Sequence, residues 1–258
     1  MSESSSSSTA HTLSSQICSA LRSAALKQHW QQAHVIGLQL SSPQALQDGS
    51  FKFYHHSKND LAIFYKDIPN DISIVRGEGI CEKMKAEEFL NTFLSNDMTI
   101  RKQFDAHVMR SEIVERWKDQ DGEWFVEYFA SPSLAMISSR DFVNIYHIET
   151  LPKSNEFIYT STSVPESIGY QLPSNVSTVK GAVRGVNVVS TLRLQQLENG
   201  DLKMVYVNHA KPNGWIPFSV INASIFGVPQ VLKQTALYLR SKLRPLNHEE
   251  PGLKNLKQ

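Results

Sequence analysis

A carboxylate inside an apolar segment is the strongest candidate for a functional group in this sequence. Glu127 shares one face of a predicted strand with Phe125 and Phe129 under the two-residue period of β-structure. A buried carboxylate is costly unless it is protonated or hydrogen-bonded, so an inward Glu127 would act as a polar anchor for a ligand hydroxyl, with Phe129 beside it. Trp124 and Val126 make the opposite face equally apolar, so the pattern also allows a Glu127 that faces solvent.

The next predicted strand carries a second group of candidate side chains on one face. Arg140, Phe142, Asn144 and Tyr146 alternate along it, and the last three are candidate ligand contacts. The hydroxyl group of Tyr146 could donate to Glu127 or to a ligand, or it could belong to an ordinary core tyrosine. Arg140 begins the strand, where we expect a structural salt bridge or a tie to a loop.

Two further polar residues, Arg110 and His209, are weaker candidates for the same site. Arg110 falls on one face of an earlier strand with Glu112, and such pairs are mostly solvated ion pairs on a sheet surface. His209 is one of nine scattered histidines, and no HExxH, GxSxG or glycine-rich phosphate loop occurs. We therefore predict no catalytic residue, no metal site and no cofactor.

Composition and charge limit the classes of function. The chain has 258 residues, of which 41% are apolar and 20% are charged, with a net charge of +1. This is the composition of an ordinary globular domain, and no global field favours nucleic acid or an acidic membrane. We expect no nucleic-acid partner and only local, transient contact with a membrane surface.

The cysteines and the N-terminal segment bear on the cellular compartment. Cys18 and Cys81 lack metal-like spacing, which favours free thiols in a reducing environment. No apolar run approaches the roughly 20 residues of a membrane span, and the serine-rich start lacks a secretory signal pattern. We predict a cytoplasmic protein, and mitochondrial targeting stays open because serine-richness also fits a transit peptide.

The elements that must position these residues follow from the spacing of apolar side chains. Helix spacing occurs at 14–40, 85–94, 98–104 and, as a long closing helix, at 217–243. Strand spacing occurs at 51–54, 61–65, 72–80, 108–117, 124–130, 142–149, 157–164, 183–197 and 202–209. Residues 1–13 are predicted to be a disordered serine-rich tail, 14–244 the folded domain and 245–258 a polar tail.

This order of elements predicts an α+β fold. A single antiparallel sheet of about nine strands must curl to bury itself, and the C-terminal helix is the natural cover for its concave face. A cavity then remains between the helix and the sheet, where a ligand would bind. The helix contributes Phe226, Val228 and Val231 as candidate contacts, and Gly227 and Pro229 should kink it.

Four short strings occur in a fixed order along the predicted sheet and its closing helix. They are VRGEGI at 75–80, SSRDFV at 138–143, GAVRG at 181–185 and NGWIP at 213–217. In this order and spacing they resemble START (StAR-related lipid transfer) domains, and among these the soluble sterol-type branch. The resemblance covers roughly residues 50–243. It implies a helix-grip fold, in which the long C-terminal helix closes an internal lipid cavity.

The resemblance also implies roles for individual residues. It places Glu127 inside the cavity, whereas the arginine that pairs with this glutamate in some sterol-transfer members is matched here by Tyr146. The segment at 131–138 corresponds to an omega-shaped loop at the mouth of the tunnel. Its Leu134 and Met136 are therefore candidate contacts to the lipid or to a membrane surface.

From these observations we predict a lipid carrier. One apolar lipid, a sterol or a similar molecule, would enter an occluded tunnel in a monomer that moves it between membranes. One alternative is an enzyme of cyclase or hydrolase type, which needs an acid and a base among Glu127, Tyr146 and His209. Another alternative is a regulatory module that senses a lipid and reports its presence to a protein partner.

Overall fold

The computed structural model describes residues 4–56, 61–133, 137–216 and 218–243 of the chain. The strands are β1 (Lys52–His56), β2 (Ala62–Lys66), β3 (Ile74–Cys81), β4 (Arg110–Asp119), β5 (Gly122–Ser131), β6 (Arg140–Leu151), β7 (Glu156–Ser163), β8 (Val183–Arg184), β9 (Val186–Gln196) and β10 (Leu202–Lys211). The α-helices are α1 (Ser4–Ser41), α2 (Gln44–Gln47), α3 (Ala86–Phe93), α4 (Met98–Arg101), α5 (Phe218–Ile225) and α6 (Gln230–Leu243).

The strands form one curved sheet, antiparallel except for a short parallel addition. Its strand order is β1-β2-β3-β10-β9-β7-β6-β5-β4, and β8 pairs with β6 in parallel. Strand β10, the last along the chain, lies between β3 and β9, so it joins the early strands and the later ones into one sheet. With the C-terminal helices packed on the inner face, this is the predicted α+β helix-grip fold, and that prediction is confirmed.

Gly185 separates β8 from β9 within the run that was predicted as one strand at 183–197. Its N–H donates to the Asp141 carbonyl at 2.8 Å. A Cβ at this position would lie 2.3 Å from the Phe142 ring, so no side chain fits without displacing that ring. Glycine inside a strand pattern commonly marks such a close approach, which accounts for the extra strand.

Helix α1 covers the outer face of the sheet, and this explains why both faces of β5 are apolar. Leu26 and Trp30 share a buried cluster with Trp124 and Val126 of β5. The indole N–H of Trp30 also donates to the Thr160 carbonyl at 2.8 Å. Because Trp124 and Val126 face α1, the alternate residues of β5, which include Glu127, point to the inner face of the sheet. The sequence pattern alone left this orientation open.

The start of α1 differs from the predicted one. The helix begins at Ser4, inside the segment 1–13 that we predicted as a tail, and continues to Ser41. A helix that is already nucleated by packing adds residues at little cost, and serine opposes this only weakly. The predicted domain boundary near residue 13 stays a prediction, and the one after residue 244 lies outside the described residues.

The string at 75–80 fastens elements on both sides of β3. Arg76 is 1% exposed, and its Nη1 donates to the Leu40 and Ser42 carbonyls at 2.7 and 2.8 Å, at the C-terminal end of α1. Gly77 faces the other side, where an added Cβ would lie 2.4 Å from Pro229 Cβ. Adjacent residues of one strand thus hold the outer helix and leave space for the closing segment.

The closing segment is divided into α5 and α6. The break falls at 226–229, where Gly227 and Pro229 predicted a kink. Proline has no N–H for the helical hydrogen bond, and its ring clashes with the preceding turn, so the α-helical pattern stops here. Tighter i→i−3 bonds, such as the one from Val228 N to the Ile225 carbonyl at 3.0 Å, connect α5 to α6. Leu232 of α6 then enters the main core with Phe89 and Leu192. The predicted helix start at Pro217 lies outside the described residues.

Candidate functional site

A cavity of about 280 Å³ lies between the inner face of the sheet and the segment that contains α5 and α6. This volume is just below the range for sites that hold drug-sized ligands, about 300–1,000 Å³. The described residues of its wall are Phe93, Arg101, Asp105, His107, Glu127, Phe129, Ser131, Arg140, Phe142, Asn144, Tyr159, Ser161, Asn187, Ser190, Tyr206, Asn208, Ala210, Pro212, Ile221, Ser224, Ile225, Val228 and Val231.

Half of the predicted contact residues belong to this wall. The sheet contributes Glu127, Phe129, Phe142 and Asn144, and the closing segment contributes Val228 and Val231. They meet because Glu127 pairs with Asn144 across β5 and β6, and the period of two gives both strands the same inner face. Their contact with a lipid stays a prediction.

Tyr146 points to the inner face as predicted, but it lies outside the cavity wall. Its ring stacks on Phe125 with centroids 4.8 Å apart and contacts Tyr159 at 5.3 Å. Burial and the nearby Glu127 carboxyl raise the pKa of Tyr146, so its hydroxyl stays protonated. The alternative of a core tyrosine is therefore the better description, because aromatic packing takes up the space in front of the ring.

Arg110 and His209 are turned away from the cavity, so their prediction as lining residues needs correction. Arg110 lies over the Tyr128 ring on the outer face and pairs with Glu112 at 2.5 Å. His209 Nε2 lies 3.7 Å from Asp71 Oδ2. The neighbour Asn208 takes the inward position on β10, and alternation along the strand therefore sends His209 outward.

Phe226 contributes to the break between α5 and α6 instead of the cavity wall. Its ring stacks on Tyr54 of β1, with centroids 3.7 Å apart and planes 5° from parallel. It also meets the Tyr65 ring edge-on at 5.6 Å. The interrupted helix turns this side chain toward the edge of the sheet, which a continuous helical stripe could not show. Leu134 and Met136 lie outside the described residues.

Glu127 is the buried carboxylate of the wall, with 8% of its surface exposed. The Ser111 hydroxyl lies 2.5 Å from Glu127 Oε1, to which it can donate, and 3.0 Å from Asn96 Oδ1. Burial raises the pKa of the Glu127 carboxyl, although the Arg101 guanidinium and the Ser111 hydrogen bond oppose that rise. The protonated form of this carboxyl can donate a hydrogen bond, whereas the ionised form can only accept.

Sequence reasoning missed an ion pair in the same wall. Arg101 closes α4, and its Nε lies 3.2 Å from Asp105 Oδ2, with both residues buried. The guanidinium also lies over the Phe93 ring at 5.7 Å. An Arg in a short predicted helix and an Asp four residues later, just past its end, are usually a solvated surface pair. No signal in the sequence therefore marked these two residues.

A network of neutral polar side chains crosses the floor of the cavity, and sequence reasoning missed this also. Ser163 donates to Asn144 Oδ1 at 3.0 Å, Ser190 to Asn187 Oδ1 at 2.9 Å, and Asn208 to Ser190 at 2.7 Å. Both Asn187 and Ser190 reach the cavity although three positions separate them. A bulge in the pairing of β9 with β10 shifts the alternation there, and such a bulge cannot be predicted from the period of two.

Arg140 is a tie to a loop, as predicted, and it also borders the cavity. Its guanidinium donates to the Pro212 carbonyl at 2.8 Å and to the Asn213 carbonyl at 3.0 Å. The next residue, Asp141, accepts from Arg184 Nε at 2.7 Å. The strings at 138–143, 181–185 and 213–217 therefore meet at one end of the cavity and hold one another in place.

An antiparallel sheet packed against a helix, with a cavity between them, is an arrangement in which a ligand can be enclosed. The family model described as START domain matches residues 52–236. The chain belongs to the START domain family, whose members generally bind lipids. The sequence-based identification is thereby confirmed at the level of the family.

Solved structures of other proteins have the same fold. Human STARD10 superposes with a TM-score of 0.64 at 16% identity, covering 82% of this chain and 79% of that one. Human StAR-related lipid transfer protein 5 gives 0.59 at 20% identity, covering 82% and 96%. A STAR-related lipid transfer protein fragment from Xanthomonas axonopodis gives 0.56 at 20%, covering 74% and 99%. A search of curated proteins gave no significant match.

Proposed function

We propose that this START domain carries one sterol-type lipid in the cavity and moves it between membranes. The observation that carries the proposal is the buried carboxylate of Glu127 in the largely apolar wall of the cavity. Among the described residues its hydrogen-bond partner is the Ser111 hydroxyl, and no cation is bonded to it directly. Apolar burial contributes about 25 cal/mol per Å² of ligand surface, and one polar contact orients the ligand. A lipid hydroxyl donating to Glu127 fits this division between affinity and orientation.

The closing segment offers the means of entry. At about 280 Å³ the cavity would have to enlarge for a sterol-sized ligand. The break at 226–229 interrupts the helical hydrogen bonds of this segment, so α5 can move with less disturbance of α6. The neighbouring Tyr54–Phe226 stack then acts as the pivot.

A local membrane contact is also part of the proposal. Trp215 is 96% exposed and follows the loop that Arg140 ties to the end of the cavity. Val220 of α5 is 45% exposed in the same part of the chain. Exposed apolar groups beside a ligand entrance are suited to a membrane surface.

No helix among the described residues is long and apolar enough to span a bilayer. We propose a cytoplasmic monomer.

The enzymatic alternative loses support from the geometry. It needed an acid and a base to converge among Glu127, Tyr146 and His209. Of these three residues only Glu127 lines the cavity, whereas the other two lie outside its wall. His107 and Asp105 also border the cavity, but neither is hydrogen-bonded to a nucleophile in the described part of the chain.

The experiment that tests the proposal is native mass spectrometry of the purified full chain after incubation with vesicles. Phosphatidylcholine vesicles would contain cholesterol, ceramide or diacylglycerol at equal mole fractions. We expect a single bound lipid per chain, with cholesterol the most abundant adduct. Preferential uptake of another lipid would replace the sterol assignment, and the absence of every adduct would overturn lipid carriage.

A second cargo class is favoured by the network that includes Asn144, Asn187 and Asn208. Amide side chains present both donors and acceptors, so they suit a lipid with a larger uncharged head group that carries hydroxyl and amide groups. A sterol with one hydroxyl would leave most of this network to water. Ceramide in the vesicle experiment represents this second class.

A further inference from the structure

A second cavity, of about 350 Å³, lies on the outer face of the sheet, beyond the C-terminal end of α1. The segment at 41–47 forms one side of it, and the strands β3, β10, β9 and β7 form the other. The described residues of its wall are separate from those of the lipid cavity. Its volume lies within the range of sites that hold small organic ligands.

The strand pairing gives this outer cavity a polar row beside an apolar side. Gln195 of β9 pairs with Lys203 of β10 on one side and with Glu156 of β7 on the other, so the three side chains lie in line across the sheet. Leu46 of α2 and Val205 of β10 contribute apolar surface to the same wall. This combination suits a ligand with one polar end and an apolar body.

Both arginines of the wall already have carboxylate partners. Arg76 Nη2 donates to Glu78 Oε2 at 2.8 Å, and Arg193 Nε donates to Glu156 Oε1 at 2.8 Å. The side chains of Arg76 and Glu156 are only 2% and 8% exposed. Breaking either pair would leave a buried charge without a partner, so the two pairs are a fixed part of the wall.

Lys203 is the cation that remains available to a ligand. No carboxylate among the described residues forms an ion pair with it, so the wall holds three positive and two negative side chains. The neighbouring Gln195 side-chain amide also makes no hydrogen bond within the described part of the chain. An ammonium group and an amide N–H can together donate to the two oxygens of one carboxylate.

The charge of the wall favours one kind of anion. A carboxylate brings a single negative charge, which the ammonium group of Lys203 neutralises. A phosphate monoester carries nearly two negative charges at neutral pH, and the second would find no available cation because both arginines are paired. A neutral or cationic ligand would leave the Lys203 charge unanswered.

We propose that the outer cavity binds a small organic acid with one carboxylate and an apolar body, and that Lys203 is its anion-binding residue. The carboxylate lies between Lys203 and Gln195, and the apolar body covers Leu46 and Val205. This second site goes beyond the proposed lipid carriage, because its wall is separate from that of the lipid cavity.

The test is an NMR titration of the isotope-labelled full chain with hydrocinnamate, an acid with a phenyl ring as its apolar body. We expect shifts of the backbone amide signals of Gln195 and Lys203, without shifts at Glu127 and Asn144 in the lipid cavity. The uncharged amide of the same acid should bind about tenfold more weakly, because it lacks a charge-assisted hydrogen bond to Lys203.

Two substitutions of Lys203 make the test independent of folding losses. Lys203→Gln should weaken the binding of hydrocinnamate about tenfold. Lys118→Gln is the matched control, because it makes the same charge change at an exposed position of β4, at the opposite edge of the sheet. Lys203→Glu should bind phenylpropylamine in preference to hydrocinnamate, and a misfolded chain could not show this gain.

Each contrary result overturns a stated part of the proposal. Shifts confined to the lipid cavity, or no shifts, overturn the outer site. Equal binding of the acid and its amide, an equal loss in Lys118→Gln, or no gain of amine binding in Lys203→Glu overturns the role of Lys203. Tighter binding of phenyl phosphate overturns the choice of a carboxylate.

A carboxylate could also come from the end of a protein chain. A short acetylated peptide that ends in phenylalanine with a free carboxyl group distinguishes this source. Tighter binding of the peptide at the same signals supports the carboxylate site with a chain end as its ligand, and tighter binding of hydrocinnamate supports a small acid. Lipid carriage is tested separately by the vesicle experiment, so the two proposals can fail independently.

Discussion

At the scale of single residues, the described structure concentrates its unusual chemistry in Glu127. The carboxyl is buried, and burial raises its pKa from the ordinary value of 4.5. Between pH 4.5 and that raised pKa the folded chain binds more protons than the unfolded chain. Stability therefore decreases as the pH rises through this window, because the folded state must then accommodate a buried charge.

Glu127→Gln should stabilise the ligand-free protein at neutral pH, because the amide removes the buried charge and keeps the shape. We expect a gain on the order of 1 kcal/mol, or about 2–4 °C in Tm, that disappears as the pH falls toward 4.5. Thermal unfolding at pH 7.5, 6 and 4.5 measures this change. Cholesterol uptake should decrease in the same variant.

The control is Glu123→Gln on the same strand. The Glu123 side chain is 41% exposed, and the hydrogen bond from Arg116 lowers its pKa, so its contribution has the opposite sign. We expect only a small change in the free energy of unfolding, slightly destabilising at neutral pH. The prediction would be wrong if Glu127→Gln lost as much stability at neutral pH as the truncation of a core side chain. The Glu127 charge would then not destabilise the fold.

His34 should make the folding stability pH-dependent from the outer face. Its ring joins α1 to Thr160 at 2.9 Å and to Glu149 at 3.1 Å, and burial lowers its pKa below 6.5 despite Glu149. Below pH 6.5 the unfolded chain binds more protons, so stability falls as the pH falls. Urea unfolding followed by tryptophan fluorescence should show a smaller loss between pH 7.5 and 5.5 in His34→Gln.

His209 is the comparison for this measurement, because burial lowers its pKa also, at a site away from α1. His209→Gln should reduce the acid loss as well, and the effects of the two variants should add. If His34→Gln left the pH dependence of unfolding unchanged, the proton-linked role of this histidine would be wrong.

On the sheet, the wall of the candidate site was predicted from the sequence only where alternation was regular. Glu127, Phe129, Phe142 and Asn144 reached the cavity because β5 and β6 keep a strict period of two. The position of Asn187 depended on a β-bulge, and single-chain patterns do not show where a bulge falls. Contacts between distant elements, such as Arg101 with the wall, have no local signal at all.

At the scale of elements, the strands and helices were predicted more completely than the site. Apolar periodicity depends on neighbours in sequence, and each predicted strand corresponds to an observed one. The differences within 183–197 and 217–243 have steric causes at Gly185 and Pro229, where close approach and a missing N–H interrupt otherwise regular elements.

Gly77→Ala should loosen the closing segment, because the added Cβ would lie 2.4 Å from Pro229 Cβ and 3.6 Å from Leu61 Cδ1. We expect a loss of about 1–3 kcal/mol in the free energy of unfolding, measured with urea. The same variant should release bound lipid faster, because the junction before α6 is displaced.

A double-mutant cycle with Pro229→Gly separates this clash from a general effect of alanine in β3. Removing the proline side chain vacates the space that the new methyl group needs, so the double variant should lose less than the sum of the single losses. Simple additivity would mean that Gly77 and Pro229 do not act on each other.

At the scale of the whole molecule, the exposed apolar groups are unevenly placed. Trp215→Ala should weaken binding to phosphatidylcholine vesicles about tenfold without changing Tm, because the side chain packs on little else. Co-sedimentation gives the partition coefficient. Ile80→Ala is the control, since Ile80 is also an exposed apolar side chain, at 53%, but does not line the cavity. Equal losses in both variants would remove the proposed membrane contact.

The adjacency of Arg76 and Gly77 has a consequence for communication through the molecule. One residue binds the end of α1 on the outer face, and the next contacts Pro229 on the inner face, so β3 connects both layers through a single peptide unit. If ligand entry shifts Pro229, part of the free energy of that shift acts through β3 on the hydrogen bonds between Arg76 and the end of α1. Such coupling is reciprocal. A partner that binds α1 would then change the affinity for lipid by the same factor by which bound lipid changes the affinity for that partner.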